Sequence, residues 1–132
     1  MRHGEPATKT GVRAGGALLD LNPRPTAVVC FNDKVAVGVM EAAAARGLRV
    51  PEDLSVTGFD DIDVSRATTP RLTTVRQPLH KMGWTAAQHL VKRIQSPDEP
   101  YPQVIWFEPE LVVRESTAGV HRVPAKKSRR TK

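Results

Sequence analysis

The sequence predicts an α/β fold, a parallel sheet flanked by helices. Two observations carry that expectation. Short, continuous apolar runs rich in β-branched residues, such as "TAVVCF" (26–31), read as strands covered on both faces. Segments with helical spacing alternate with these runs through short connections, the pattern of strand, helix and strand in one parallel sheet.

Taken in order, "GVRAGGALLDL" (11–21) spaces Val12, Ala14, Leu18 and Leu19 as a helix does and ends in the turn signal "NPRP". The strand 26–31 follows, then a helix over "NDKVAVGVMEAAAARG" (32–47). Asn32 or Asp33 caps that helix, Val35, Val39, Ala42 and Ala43 line one face, and Gly47 stops it. "LRVPEDLSVTGF" reads as a turn and a second buried strand. "SRATTPRLTTV" is broken by Pro70 and resumes as a short strand from Leu72 to Val75. "LHKMGWTAAQHLVKRI" (79–94) is a strong helix with Met82, Ala86, Leu90 and Ile94 near its apolar stripe. "VIWFEPELVVRES" reads as one or two strands split by Pro109.

At 132 residues the chain fits one ordinary domain or a piece of a larger one. No apolar run approaches the ~20 residues of a spanning helix. The start, "MRHGEPATKTG", has no apolar stretch of the signal-peptide kind, so a cytoplasmic location is expected. Cys30 is the single cysteine, which excludes an internal disulfide and a cysteine-based zinc site. It sits in an apolar run and reads as a small buried hydrophobe. The net charge of +6 resembles a nucleic-acid signal until it is located. Residues 1–120 hold 14 basic and 14 acidic side chains, and the excess lies in "HRVPAKKSRRTK". Residues 119–132 are therefore expected to form a basic, disordered tail, and the folded part is electrostatically neutral.

The chemistry concentrates at two strand ends. The right-handed crossover of a strand–helix–strand unit places "F-Asn32-Asp33" and "F-Asp60-Asp61" along one edge of the sheet. Ligands of open α/β sheets bind in the crevice beyond that edge. Asp60, Asp61 and Asp63 have oxygens for a hard cation, but the spacing of a calcium loop is absent. A phospho-acceptor receiver site would need a third aspartate ending a middle strand and a lysine ending a late one; after "LTTV" come Arg76 and Gln77. No nucleophile elbow or phosphate loop occurs, and the histidines are scattered, so no catalysis, metal or cofactor is expected. A neutral polyol fits better. A carboxylate accepts hydrogen bonds from two adjacent hydroxyls, and a carboxamide both donates and accepts. Phe31 and Phe59, which end apolar runs, are expected in the core, and at least one of Asp60 and Asp61 is expected to be a plain turn or solvent residue.

The phrases "PTAVVCFND", "GLRVPEDLSVTGFDD", "TPRLTTVRQP" and "ELVVRES", in that order and at these intervals, closely resemble the ligand-sensing domain of LacI/GalR-type transcriptional repressors. The likeness runs over roughly residues 4–118. It implies a periplasmic-binding-protein-like (type I) fold of two α/β subdomains closing on a small effector, here incomplete and mostly the C-terminal subdomain. By that resemblance residues 4–77 belong to the C-terminal subdomain. Helix 79–95 packs on the other subdomain, and residues 103–118 are return strands. Asn32 matches the family's effector-binding carboxamide, Asp60 its carboxylate and Gln77 a polar contact near the hinge. Pro6 stands where the family often has an aromatic that stacks on the ligand. The helix beginning at Asp33 implies a homodimer contact through Val35, Val39 and Met40, whose alternative reading is ordinary core.

The resemblance implies a sensor that binds a small effector, a sugar by preference, and controls operator binding by a helix-turn-helix headpiece. Neither that headpiece nor the first half of the sensor is expected within these residues, so the chain supplies one wall of a cleft. Helix 79–94 would then expose its apolar face unless it docks elsewhere, and the chain is expected to be marginally stable or to associate. The alternative reading is a fragment of a solute-binding protein for sugar transport.

Overall fold

The computed structural model describes residues 8–100 and 102–119. Eight elements follow one another: α1 (Thr8–Leu19), β1 (Ala27–Val29), α2 (Asp33–Ala44), β2 (Ser55–Thr57), α3 (Val64–Ala67), β3 (Thr74–Arg76), α4 (Leu79–Gln95) and β4 (Glu110–Val112). Strands β1 and β2 pair in parallel, Ala27 opposite Ser55 and Val29 opposite Thr57. Strands β3 and β4 pair antiparallel, Thr74 opposite Val112. Parallel bridges from Thr57 to Thr73 and from Asp60 to Arg76 link the two ladders. The Gly58 N–H donates to Thr73 O at 2.9 Å and the Asp60 N–H to Val75 O at 2.8 Å.

The core lies between this sheet and the α1–α2 pair: Leu19, Cys30, Ala36, Val39, Ala42, Ala43, Leu54, Val56 and Leu72. The two helices approach through small residues. A Cβ on Gly11 would fall 2.2 Å from Val35 O, and one on Gly38 2.1 Å from Thr8 O, so neither position has room for a side chain. This corrects the expected inner face of α1. Its buried residues are Gly11, Gly15, Gly16 and Leu19, whereas Val12 and Leu18 are exposed. Close backbone approach, rather than apolar bulk, chose the face.

Two further expectations change, the cover of β1 and the burial of the phenylalanines. Among the described residues strand β1 is covered on one face only: Val28 and Cys30 meet the core, whereas Val29 is 85% exposed and Phe31 76% exposed rather than in the core. Phe59 is half-buried. The stretch 102–109 forms no ladder, so "VIWFEPELVVRES" supplies the single strand β4, beginning just after Pro109. Helix α4 has the expected extent, and none of its residues is buried. Among the described residues no helix is long and apolar enough to cross a membrane. Pro6 and residues 120–132 of the basic tail lie outside the described residues.

Candidate functional site

The ends of β1 and β2 are held together beyond their ladder. The Cys30 N–H donates to Thr57 O and the Asp33 N–H to Phe59 O, each at 2.9 Å. Asn32 and Asp60 each stand three residues past a paired position, Val29 and Thr57, and so occupy matching places on the same edge. Asn32 is also the N-cap of α2: its Oδ1 accepts the Val35 N–H at 3.0 Å. The cap uses the carboxamide oxygen and leaves the NH2 group with no protein acceptor among the described residues. Asp60 accepts a hydrogen bond from Gln77 Nε2 on Oδ1 at 2.7 Å. Of the three residues singled out, two are thus bonded to each other, and the third ends the neighbouring strand.

The other acids of the two strand ends serve the scaffold. Asp33 does not cap; it is wholly buried, accepting the Thr74 hydroxyl at 2.5 Å and the Ile62 N–H at 2.8 Å. Burial pushes its carboxyl up, the hydrogen bonds from Thr74 and Ile62 oppose this, and the charges of Asp60 and Asp61 add to the rise. Gly58 makes room for it, since a Cβ there would meet Asp33 Oδ1 at 2.2 Å.

Asp61 overturns the expectation of a plain turn or solvent residue. Its side chain is fully covered and accepts hydrogen bonds from Arg114 at 2.5 Å, Arg76 at 2.7 Å, Arg66 at 3.1 Å and the Ser65 hydroxyl at 3.0 Å. Burial pushes its pKa up, but those four donors together outweigh burial and hold the carboxyl well below the usual range. Arg76 also reaches Glu110 of β4 at 2.9 Å. The solvent-facing residue of the acidic trio is Asp63, exposed at the start of α3 with no side-chain cap bond. Among the described residues no group of three or more His, Cys, Asp or Glu could hold a metal ion.

The proposed dimer contacts divide. Val39 is 2% exposed because it packs under Gly15 of α1, so its side chain belongs to the core. Val35 and Met40 are half-buried against the same core. What sequence reasoning missed is the arginine set around Asp61. A faint signal existed in Arg76 and Arg114, cations set directly after the apolar runs "LTTV" and "LVV", but their common target lies 15 and 53 residues away.

Comparison with known proteins identifies the family. Residues 2–117 match the periplasmic binding protein-like domain family. The chain is 43% identical over 106 residues to the ribose operon repressor of Haemophilus influenzae, covering 80% of this chain and 32% of that protein. Among solved structures it resembles a LacI family transcriptional regulator from Enterococcus faecium with bound ribose, at 32% identity and a TM-score of 0.75, covering 87% of this chain and 42% of that one. A LacI family regulator from Arthrobacter sp. FB24 in complex with lactose gives 32% identity and the same TM-score over 85% of this chain and 42% of that one. The chain spans about a third of the length of the curated relatives it matches. Those relatives are transcriptional repressors rather than enzymes. The chain therefore belongs to the periplasmic binding protein-like domain family, among the effector-binding domains of LacI-family transcriptional regulators.

Proposed function

We propose that the chain forms one wall of a sugar-binding cleft in a regulator whose effector changes the affinity of an attached headpiece for operator DNA. Residues 4–77 act as the C-terminal subdomain, helix 79–95 docks on the opposite subdomain, and residues 103–118 return across the hinge. The site is the Asn32–Asp60–Gln77 rim. The observation that carries the reading is the shared strand-end position of Asn32 and Asp60 together with the 2.7 Å Gln77–Asp60 bond. The Asp60 carboxylate has a second oxygen to accept from a sugar hydroxyl, and the Asn32 NH2 group is a donor on the same sheet edge. Ribose and lactose, bound in the two structural neighbours, support a sugar as the ligand class. The assembly works in the cytoplasm as a homodimer, with Val35 and Met40 contributing to the contact between copies.

The test restores the second wall. In a chimera, this chain replaces the matching third of the Haemophilus ribose repressor, and ribose and lactose are titrated against its complex with operator DNA. Release by either sugar is the expected outcome. Asp60→Ala should weaken the response roughly 10- to 100-fold, the cost of a lost hydrogen bond to a charged group. An unchanged response in Asp60→Ala would remove the site assignment, and no response to any sugar would remove the ligand class.

A further inference from the structure

Asp60 and Asp61 are consecutive non-glycine residues with positive φ, +102° and +53°. Aspartate tolerates the left-handed region better than most side chains, but a φ of +102° lies outside the favoured left-handed well. Such a turn persists only when its surroundings over-determine it. Here the clamps are visible. The Asp60 N–H is held by Val75 O, the Ile62 N–H by Asp33, and the side chain between them by three guanidinium groups and a hydroxyl. The three arginines come from three separate segments: α3, β3 and the residues just after β4.

Resting on the rim reading above, we propose that Asp61 is a positioning residue: gripped by Arg66, Arg76 and Arg114, it fixes the backbone of Asp60 so that the rim carboxylate is aimed, and it ties that carboxylate to β3 and β4. The pairing is double. Arg76 and Gln77 are consecutive, and they reach Asp61 and Asp60, which are also consecutive. Arg76 continues to Glu110, so a displacement of Asp60 by a ligand sharing the Gln77 bond shifts the same cage that holds β4. A purely structural ion cluster would behave differently. It would raise or lower the stability of the whole chain without singling out the turn.

Amide hydrogen exchange on the 132-residue chain separates the two. In Asp61→Asn the shape stays and the charge goes, so the amides of Asp60 and Ile62 should exchange about tenfold faster or more relative to those of α2. Leu54→Ala, a core truncation away from the arginine cage, serves as the control and should move both regions by the same factor. An equal change in both regions, or none, in Asp61→Asn overturns the proposal. Should Asp61→Asn fail to fold, Arg76→Gln decides by the same ratio, with a change of roughly threefold expected because two guanidinium groups remain. The ratio is read without any sugar. It therefore stands or falls independently of the effector role, which the chimera tests.

Discussion

Helices α2 and α4 are both amphipathic, yet six of the twelve residues of α2 are buried and none of the seventeen of α4 is. The difference lies in what faces them. Helix α2 presents Ala36, Gly38, Val39, Ala42 and Ala43, small enough for α1 to come down on its backbone, while Leu54, Val56 and Leu72 fill the space toward the sheet. Helix α4 presents bulk, with Trp84 63% and Ile94 72% exposed and Leu90 and Val91 beside them. A shallow cavity of about 460 Å³ lined by Trp84, Ala87, Val91 and Gln95 marks that unfilled face. An apolar stripe is a demand for a partner. The demand of α2 is met inside the chain, and that of α4 is not met among the described residues.

The largest test of this contrast uses one substitution in both helices. Gly38→Ala adds a methyl group that meets Thr8 O and the Gly11 backbone, atoms that cannot swing aside. It should lower stability to urea by about 3 kcal/mol, the upper end of overpacking. Gly83→Ala in α4 meets nothing within 4 Å and should raise stability by about 0.5–1 kcal/mol through helix propensity alone. Equal effects at the two sites would break the comparison.

The sequence made α2 and α4 legible for one reason: both follow the 3.6-residue period, and Gly47 also marks the end of α2. It left α1 half-read because glycine is invisible to a count of apolar residues, although four glycine-lined contacts decide its inner face. The burial of β1 was over-read for a related reason. An apolar run states that a strand wants cover on both faces, and Val29 and Phe31 show that only one cover is present among the described residues. At the site, Asn32 and Asp60 could be paired because each ends an apolar run one strand–helix–strand unit apart. The Gln77 assignment came from resemblance alone; its bond to Asp60 was not legible in the sequence. The fates of Asp33 and Asp61 were illegible, since Thr74 and Arg114, their partners, lie 41 and 53 residues away.

The anchor of α2 titrates, and this gives a second, smaller test. Asp61 has a depressed folded pKa, so its contribution is present above its unfolded value near 3.9 and lost as pH falls below it. Asp33 has a raised folded pKa. Its contribution is present below the unfolded value and lost as pH rises through the folded one. Asp33→Asn keeps an oxygen for the Ile62 N–H and an NH2 group for the Thr74 hydroxyl. Its cost should therefore be largest near pH 3 and shrink as Asp33 in the parent ionises. Urea melts of parent and variant across that range check the sign, and a cost that grows with pH would show that Asp33 is stabilised as an anion.

The smallest expected effect falls on α4 itself. Trp84→Ser and Leu90→Ser remove apolar surface that touches little, so the stability of the chain should change by no more than about 0.5 kcal/mol. Self-association should respond instead, because the same surface is what solvated copies would pair to cover. Sedimentation of the parent chain should show association that weakens in the double variant. In the chimera the same two substitutions should cost several-fold more stability, since the face would then be packed. A compact, monomeric parent with a high cooperative melting transition, together with a loss of more than about 2 kcal/mol in either variant, would mean that α4 finds its cover within this chain. The contrast with α2 would then be a contrast of partners rather than of partnered and unpartnered faces.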